Sequence, residues 1–443
     1  MSSLALLTWL LGAGTSDYER GVAALKAGQS TTAQTHLQAA TAADPERVEA
    51  HWELGWAYWL QGDFASAAAS WSTVQSLAPS HPEVGTWLPQ AQERARLSGL
   101  NTKAAEIPLE ASAKTLSFAA AGDTMLGTAL RRGSSGLAPD NGAQIFDGVA
   151  PWLQAADVAF LNLEGPFADG LPQTKCSSGS KSCYAFSTPT RYAQALVDAG
   201  VDWASLANNH SMDLGSAGMT SSMATLDALG IAHAGQTGDV AIIEREGIRI
   251  GLIAAHSGSC CLNVNRPQEI AAAVADLDRR VDIVVLSFHG GAEGAAHRHV
   301  PGKLEIGYGE KRGDVKAVAR AAVDAGADLV LGHGPHVLRG MEVYKGRLVA
   351  YSLGNFVGYK QFGTQGGFGG TSLVLSAVLA DNGVLVSAQL HPVALDGEGQ
   401  PRPDPDGAAW AQVAELSAAD FPQTGVKVGD QGQLSWSTLD QAD

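Results

Sequence analysis

Two hydrophobic patterns divide this chain of 443 residues. Residues 17–98 repeat with a period of 34, which aligns Tyr18, Gly21, Gly28, Ala33, Leu37 and Pro45 with Trp52, Gly55, Gly62, Ala67, Trp71 and Pro79. From residue 114 onward, short apolar runs alternate with stretches of helical periodicity. The first pattern predicts stacked helical hairpins, and the second predicts an α/β domain built in layers.

The second copy of the repeat reads Trp52-Glu53-Leu54-Gly55-Trp56-Ala57-Tyr58, which resembles the tetratricopeptide signature. Small residues at these positions allow the two helices of a hairpin to pack closely. Residues 83–98 are predicted to form the polar helix that caps such an array. Two interpretations stay open: a groove that binds a protein or peptide, and a purely structural N-terminal cap.

The α/β domain is predicted to span residues 114–395, after a linker at residues 99–113. Its strands are predicted at Leu116–Ala121, Val158–Leu163, Val201–Ala207, Ile248–Ala254, Ile283–Phe288 and Leu329–Leu331. Helices are expected near 189–199, 215–229, 267–280 and 314–325, and hairpins near Lys345-Gly346 and Asn382-Gly383. Residues 396–443 are rich in Pro, Gly and Asp, and we expect a loosely packed C-terminal extension.

Composition narrows the classes of function. The formal net charge is −16, and such an acidic surface repels phosphate backbones, so nucleic-acid binding is not expected. No stretch reaches the ~20 apolar residues that span a bilayer. Residues 1–16 form an apolar, signal-like segment without a preceding Lys or Arg. This favours an extracytoplasmic location, with an apolar tail or a misassigned start codon as the alternative.

The four cysteines give mild support to export. Cys176 and Cys183 flank a six-residue loop and are candidates for a local disulfide. Cys260 and Cys261 are adjacent, which is awkward for a bridge between them. The sequence alone does not choose among the three possible pairings.

Residues with metal-ligand character stand where the predicted strands end. They are Asp123, Glu164, the Asn208-Asn209-His210 run, His289, His333 and His336. In α/β sheets the loops beyond the carboxyl ends of strands form the ligand crevice. Carboxylate, amide and imidazole groups without thiolates favour Mn, Fe, Zn or Mg. The number of candidate ligands favours two ions and the hydrolysis of a phosphoester, with His210 as general acid or phosphate contact.

At this point a family resemblance is evident. The motifs GDTMLG, NLEGPFADG, LANNHSMDLG, SFHGGAE and GHGPHVLRGMEVYKGRLVAYSLGNF, in this order, resemble the CapA family of capsule and poly-γ-glutamate synthesis proteins. The resemblance covers roughly residues 114–395. It implies a fold similar to the calcineurin-like metallophosphoesterases.

The resemblance also implies residue roles. Asp123, Glu164, Asn209, His289, His333 and His336 would be the metal ligands, and His210 would lie beside the phosphate position. Asp123 and His210 are accordingly the predicted catalytic residues. Independently of the resemblance, Asn208, Ser352 and Asn355 are candidates for substrate binding. For Ser352 and Asn355 an ordinary strand-to-loop turn is an equal alternative.

This chain departs from the family pattern at the first motif. Met125 stands where metallophosphoesterases have a His ligand, and Glu164 stands where a bridging Asp is usual. The fourth motif has Gly290 where family members often have Trp. His297 and His299 are nearby in sequence and could substitute, although a solvated pair is the plainer interpretation.

The sequence therefore leaves two hypotheses for the function. The first is a metal-dependent, phosphoesterase-like hydrolase that acts in the synthesis, export or anchoring of a surface polymer. The second is a non-catalytic scaffold whose repeats recruit protein partners to a synthesis complex. Retention of the three histidines favours the enzyme, and Met125 favours the scaffold.

Overall fold

The computed structural model describes residues 16–100, 105–130, 136–177, 183–362 and 366–437. The signal-like segment predicted at residues 1–16 lies outside this range except for its last residue. The chain forms two compact units, Met1–Leu100 and Asn101–Asp443, and each is described by itself.

The first unit consists of antiparallel helical hairpins. Its helices are α1 (Asp17–Lys26), α2 (Ser30–Ala43), α3 (Val48–Gln61), α4 (Phe64–Leu77) and α5 (Val84–Ser98). Helices α1 and α2 pack together, as do α3 and α4, while α5 packs against α4. The predicted pair of repeats and the helix after them are therefore confirmed, and the ends of the predicted capping helix differ from α5 by one residue or less.

The period of 34 has a steric origin. A Cβ atom on Gly21 would lie 2.5 Å from Leu37 Cγ, and one on Gly55 would lie 2.1 Å from Trp71 Nε1. Each repeat thus requires a glycine on its first helix because a large side chain of its second helix lies against it. In the second repeat this side chain, Trp71, is fully buried and donates from Nε1 to the Trp52 carbonyl at 3.1 Å.

We expect Gly55→Ala to destabilise this unit by about 1–3 kcal/mol, since the added methyl group overlaps the Trp71 ring. Urea unfolding followed by tryptophan fluorescence would measure the change, because Trp52, Trp56, Trp59, Trp71 and Trp87 are half of the ten tryptophans. Gly85→Ala is the matched control, since a Cβ there meets no atom within 4 Å. Equal midpoints for both variants would contradict the steric account.

The second unit contains two large mixed sheets and three small two-stranded ones. In the described residues its strands are β1 (Thr115–Met125), β2 (Gly127–Thr128), β3 (Gly136–Leu137), β4 (Val158–Leu163), β5 (Trp203–Ser205), β6 (Ala232–Ala234), β7 (Ala241–Arg245), β8 (Ile248–His256), β9 (Leu262–Asn263), β10 (Ile283–His289), β11 (Glu305–Gly307), β12 (Glu310–Gly313), β13 (Leu329–His333), β14 (Met341–Tyr344), β15 (Arg347–Ala350), β16 (Asn355–Gly358), β17 (Thr371–Ala380), β18 (Leu385–Leu395), β19 (Pro401–Pro403), β20 (Lys427–Val428) and β21 (Leu434–Ser435). Its helices are α6 (Ala150–Gln154), α7 (Gln194–Asp198), α8 (Gly215–Ala228), α9 (Pro267–Asp278), α10 (Val315–Asp324) and α11 (Ala408–Asp420).

The first sheet has the order β19-β18-β17-β1-β4-β5-β6, with β16 also paired to β1. The second sheet has the order β14-β15-β13-β10-β8-β7, with β9 also paired to β8. Strands β1, β4, β5 and β6 are parallel, and so are β8, β10, β13 and β15. Hydrophobic residues of α6, α7 and α8 form one core with the first sheet, whereas α9 packs on β8 and β10, and α10 on β13. The predicted α/β layers are confirmed.

The prediction for residues 396–443 is wrong for most of that stretch. Strand β19 pairs with β18, and α11 packs on β14, β17 and β18. Helix α11 buries Ala409, Val413 and Leu416, and Phe421 stacks on Tyr351 with ring centroids 4.8 Å apart. Most of the described Pro, Gly and Asp residues of this stretch lie in the turns around α11, whereas Pro401 and Pro403 belong to β19 and Asp420 ends the helix.

The predicted linker is also partly anchored. Residues 101–104 lie outside the described residues, but Ala105 donates its backbone N–H to the Asp324 carbonyl at 2.9 Å. Arg347 donates to the Pro108 carbonyl at 3.0 Å. The second half of residues 99–113 therefore belongs to the α/β unit.

Candidate metal centre

Two rows of polar residues stand side by side at the carboxyl ends of parallel strands, and one member, Asn355, is instead the first residue of β16. In the first sheet Asp123 is in register with Asn162 on β4 and with Asn355 on β16. In the second sheet His289 is in register with His256 on β8 and with His333 on β13. Each row arises because neighbouring parallel strands are in register at these positions, which places the side chains of adjacent strands together.

The two rows meet at Asp123. Its Oδ1 lies 3.4 Å from His333 Nδ1 and accepts a hydrogen bond from Asn162 Nδ2 at 2.8 Å. Its Oδ2 lies 3.1 Å from His336 Nδ1 and accepts from the Gly334 N–H at 3.3 Å. Asp123 is fully buried, so histidines of the second sheet surround a carboxylate of the first.

Glu164 follows β4 and lies on the other side of His336. Its Oε1 is 3.6 Å from His336 Nε2 and 4.0 Å from His289 Nε2. Ligand atoms of Asp123, Glu164 and His336 all lie within 4.8 Å of one another. Five of the six predicted metal ligands thus converge.

The donor atoms of this cluster fit a metal ion. Buried atoms without a hydrogen-bond partner in the described part of the chain include both carboxylate oxygens of Glu164, both ring nitrogens of His333, His289 Nε2 and Asn209 Oδ1. Each unpaired buried polar group costs about 1–3 kcal/mol, and coordination would remove that cost. Asn209, the sixth predicted ligand, lines the same cleft as His336.

Electrostatics leaves several of these groups in the form that binds metal. Burial raises the pKa of Asp123, but the neighbouring His333 and His336 outweigh it and hold the value well below the ordinary one. Burial holds the pKa of His289 well below its usual range, so that this imidazole is neutral. Ionised carboxylates and neutral imidazoles are the ligating forms.

Glu164 and His336 are shifted in the opposite sense. Burial raises the pKa of Glu164, even though the charge of His336 acts against this shift. Burial lowers the pKa of His336, but the Glu164 and Asp123 carboxylates outweigh this and raise it overall. Both raised pKa values favour the protonated forms of these two groups, and a cation bound between them would take over the role of the proton.

His210 stands at the cleft wall in a hydrogen-bonded group. Its Nδ1 lies 2.7 Å from Asp213 Oδ2, and Phe186 stacks on the ring. Lys175 Nζ pairs with Asp213 Oδ1 at 2.9 Å and donates to the Asn209 carbonyl at 2.8 Å. Burial lowers the pKa of His210 although Asp213 raises it, so the neutral ring donates from Nδ1 to Asp213 and has its lone pair on Nε2.

These groups border a cleft of about 1360 Å³. Among its lining residues are Asn209, His210, His256, Arg312, His336 and Phe362. Arg312 is 2% exposed and pairs with Glu293, while its Nε and Nη1 have no partner in the described part of the chain. The cleft therefore offers unpaired guanidinium donors together with the cluster around Asp123.

The structure does not support the prediction that Asn208, Ser352 and Asn355 bind substrate. All three side chains are buried, and their hydrogen bonds are internal. Asn208 donates to Asn162 Oδ1 and to the Leu163 carbonyl, and Ser352 donates to the Val337 carbonyl. Asn355 Oδ1 lies 2.8 Å from His336 Nδ1, so its role is to orient that histidine.

The structure also locates Met125 and the two histidines that were considered as substitutes for the missing ligand. Met125 is buried, and its Sδ accepts the Gly127 N–H at 3.1 Å. His297 and His299 are not part of the cluster, and His299 instead pairs with Asp420 at 2.8 Å. Neither histidine supplies the ligand that Met125 replaces.

Sequence reasoning missed Asn162, His256 and Arg312. Asn162 is the last residue but one of the strand predicted at Val158–Leu163, and His256 comes two residues after the strand predicted at Ile248–Ala254. The strand-end pattern that identified Asp123 and His289 could therefore have found them. Arg312 lies on β12, in a hairpin whose sequence carries no motif.

The disulfide candidates are joined in the structure. Cys176 and Cys183 form a disulfide, with Cα atoms 5.7 Å apart. Cys176 directly follows Lys175 in the chain. The disulfide therefore directly adjoins the lysine that lies beside His210.

Comparison with known proteins identifies the class. Residues 117–360, more than half of the chain, match the family described as bacterial capsule synthesis protein PGA_cap, and the chain belongs to this family. Residues 18–82 match a tetratricopeptide repeat family.

Individual relatives are more distant. The chain is 27% identical to the "Capsule biosynthesis protein CapA" of Bacillus anthracis, over 65% of this chain and 69% of that protein. It is 29% identical to a "Probable polyglutamine synthesis accessory protein" of Mycobacterium tuberculosis, over 54% of this chain and 66% of that protein. The chain thus spans about two thirds of the length of these relatives. The alignment with a solved O-GlcNAc transferase mutant from Thermobaculum terrenum covers 72% of this chain and 71% of that chain at 11% identity. Its TM-score of 0.21 is too low to indicate a shared fold.

We expect Asn355→Ala to weaken Mn²⁺ binding by about 10–100-fold, because His336 loses the partner that fixes its ring. Calorimetric titration of the purified protein would measure the affinity. Asn141→Ala is the control, since this exposed amide contacts Arg191 rather than the cluster. An unchanged affinity in Asn355→Ala would contradict the view that Asn355 orients His336 as a ligand.

Proposed function

We propose that the cleft binds divalent metal ions and hydrolyses a phosphoester in the synthesis or export of a bacterial surface polymer such as poly-γ-glutamate. The observation that carries this proposal is the set of buried, unpartnered ligand atoms beside an open cleft. Asp123, Glu164, His289, His333 and His336 would hold the metal, with Asn209 as the amide ligand. When bound, the ions would act as Lewis acids that stabilise negative charge on the reacting group.

The chain's own residues supply the remaining functions. His210 Nδ1 is engaged by Asp213, so Nε2 is the atom available to exchange a proton with substrate. Lys175 holds Asp213 and the Asn209 backbone in place. The unpaired Arg312 donors would bind an anionic oxygen of the substrate, since a planar guanidinium matches phosphate and carboxylate geometry.

The proposed role in surface-polymer synthesis rests on the relatives of this chain. Their names refer to capsule and polyglutamine synthesis. A disulfide supports an extracytoplasmic location, because disulfides persist mainly in oxidising compartments. No helix among the described residues has both the length and the apolar character needed to cross a membrane.

The alternative function is a scaffold that binds partners through its repeats. Tetratricopeptide arrays present concave surfaces to other proteins. The word "accessory" in the name of the mycobacterial relative, together with Met125 at the first motif, favours this alternative. Under it, metal binding would be weak and none of the cleft residues would affect turnover.

We expect His210→Ala to lower the hydrolysis of a chromogenic phosphodiester in the presence of Mn²⁺ by about 10²–10⁴-fold, since the proton-transfer group is lost. The metal content should stay unchanged, whereas the unfolding midpoint should fall because Asp213 and Phe186 lose a buried partner. His391→Ala is the matched control, because this histidine lies on β18 against Trp152. Wild-type protein that takes up Mn²⁺ but hydrolyses neither phosphomonoesters nor phosphodiesters would contradict the hydrolase and favour the scaffold.

A further inference from the structure

A second group of ligand-type side chains lies next to the cleft. His256 ends β8, and Cys260 and Cys261 follow in the loop that leads to β9. All three are buried, and neither cysteine is part of a disulfide. One ligand atom from each residue lies within 4.8 Å of the other two.

A disulfide between the two cysteines is a poor explanation for their proximity. Adjacent Cα atoms are about 3.8 Å apart across a trans peptide, whereas disulfides usually join Cα atoms that are 4.4–6.8 Å apart. The other two cysteines of this chain meet that condition and are joined. The convergence of the two thiols with His256 is instead the arrangement expected of residues that share one ligand.

The surroundings are more polar than those of ordinary core cysteines. Cys260 Sγ lies 3.9 Å from Ser211 Oγ, and His256 lines the cleft. Two thiols and one imidazole that converge in a buried site form a typical ligand set for zinc.

The tautomer of His256 is suitable for coordination. Its Nδ1 accepts the Gly258 N–H at 2.7 Å, so this nitrogen carries the lone pair. The proton is then on Nε2, which lies 3.4 Å from Ser257 Oγ. A metal-bound histidine commonly donates its other ring N–H to a neighbouring acceptor, and here Ser257 takes that role. The metal would replace the Gly258 hydrogen bond.

We propose that His256, Cys260 and Cys261 bind one zinc ion in a thiolate site beside the Asp123 cluster. The His256 and His289 ring centroids are 5.7 Å apart, so the two sites are neighbours with different ligand chemistry. Thiolates define the proposed zinc site, whereas carboxylates and imidazoles define the site around Asp123. Zinc binding here would release the thiol protons to solvent.

Cobalt(II) titration of the full chain tests this proposal directly. The Cys176–Cys183 disulfide is kept oxidised, so that only Cys260 and Cys261 can supply thiolates. We expect a thiolate-to-cobalt charge-transfer band in the near ultraviolet that saturates at one equivalent and disappears when zinc is added. The Cys260→Ser/Cys261→Ser variant should lack this band, and Asp123→Asn should retain it, since its lesion lies in the other site.

Several outcomes would overturn the site. These are cobalt binding by the wild type without a charge-transfer band, a band that persists in the double serine variant, and a peptide containing residues 260–261 that is lighter by two hydrogen atoms. The last result would indicate a vicinal disulfide. The wild-type spectrum tests the proposed zinc site even if the variants fold poorly. A phosphodiester assay that fails while the band is present would reject the proposed hydrolase without affecting this site.

Discussion

The structure of the α/β unit depends on one constraint: charged and polar side chains are buried where two sheets meet. Asp123 is fully buried, yet its carboxylate stays ionised because histidines and amides of both sheets surround it. Burial of an isolated charge would be very unfavourable. The Asn355-Asp123-Asn162 and His256-His289-His333 rows therefore have to come together, and the register of the parallel strands brings this about.

The hydrogen bonds that remain unmade are as informative as those that are present. Asp123 and Asn162 are satisfied by protein groups, whereas Glu164 and His333 are not. A cluster designed only for stability would pair these atoms or replace them with apolar groups. The unpaired atoms lie together around a cleft, which is the arrangement expected of a site that binds cations.

Much of the fold could be predicted from the sequence because it follows from local patterns. The repeat spacing reflects one glycine and one large side chain per hairpin, and the strand predicted at Val158–Leu163 is found with the same ends. Helix α11 was missed because the Pro and Gly residues around it suggested irregular structure. Its apolar residues Ala409, Val413 and Leu416 do follow helical spacing, but the surface they cover is visible only in three dimensions.

The site could be predicted only in part. Residues at strand ends were found because one rule places them all at the same edge. The roles of Asn208 and Ser352 could not be predicted, because the sequence does not show whether a polar side chain faces the cleft or bonds to the backbone behind it. The position of Arg312 also depends on packing that the sequence does not show. Gly290 leaves room for the Arg312 carbonyl oxygen, since a Cβ atom on residue 290 would lie only 2.9 Å from it.

The central claim is that the buried residues around Asp123 hold metal ions. Anomalous X-ray diffraction from crystals grown with Mn²⁺ would test it most directly. The account predicts a strong anomalous peak enclosed by Asp123, Glu164 and His336, in contact with His289 or His333. Well-ordered crystals that show no peak there, at a Mn²⁺ concentration that supports calorimetric binding, would contradict it.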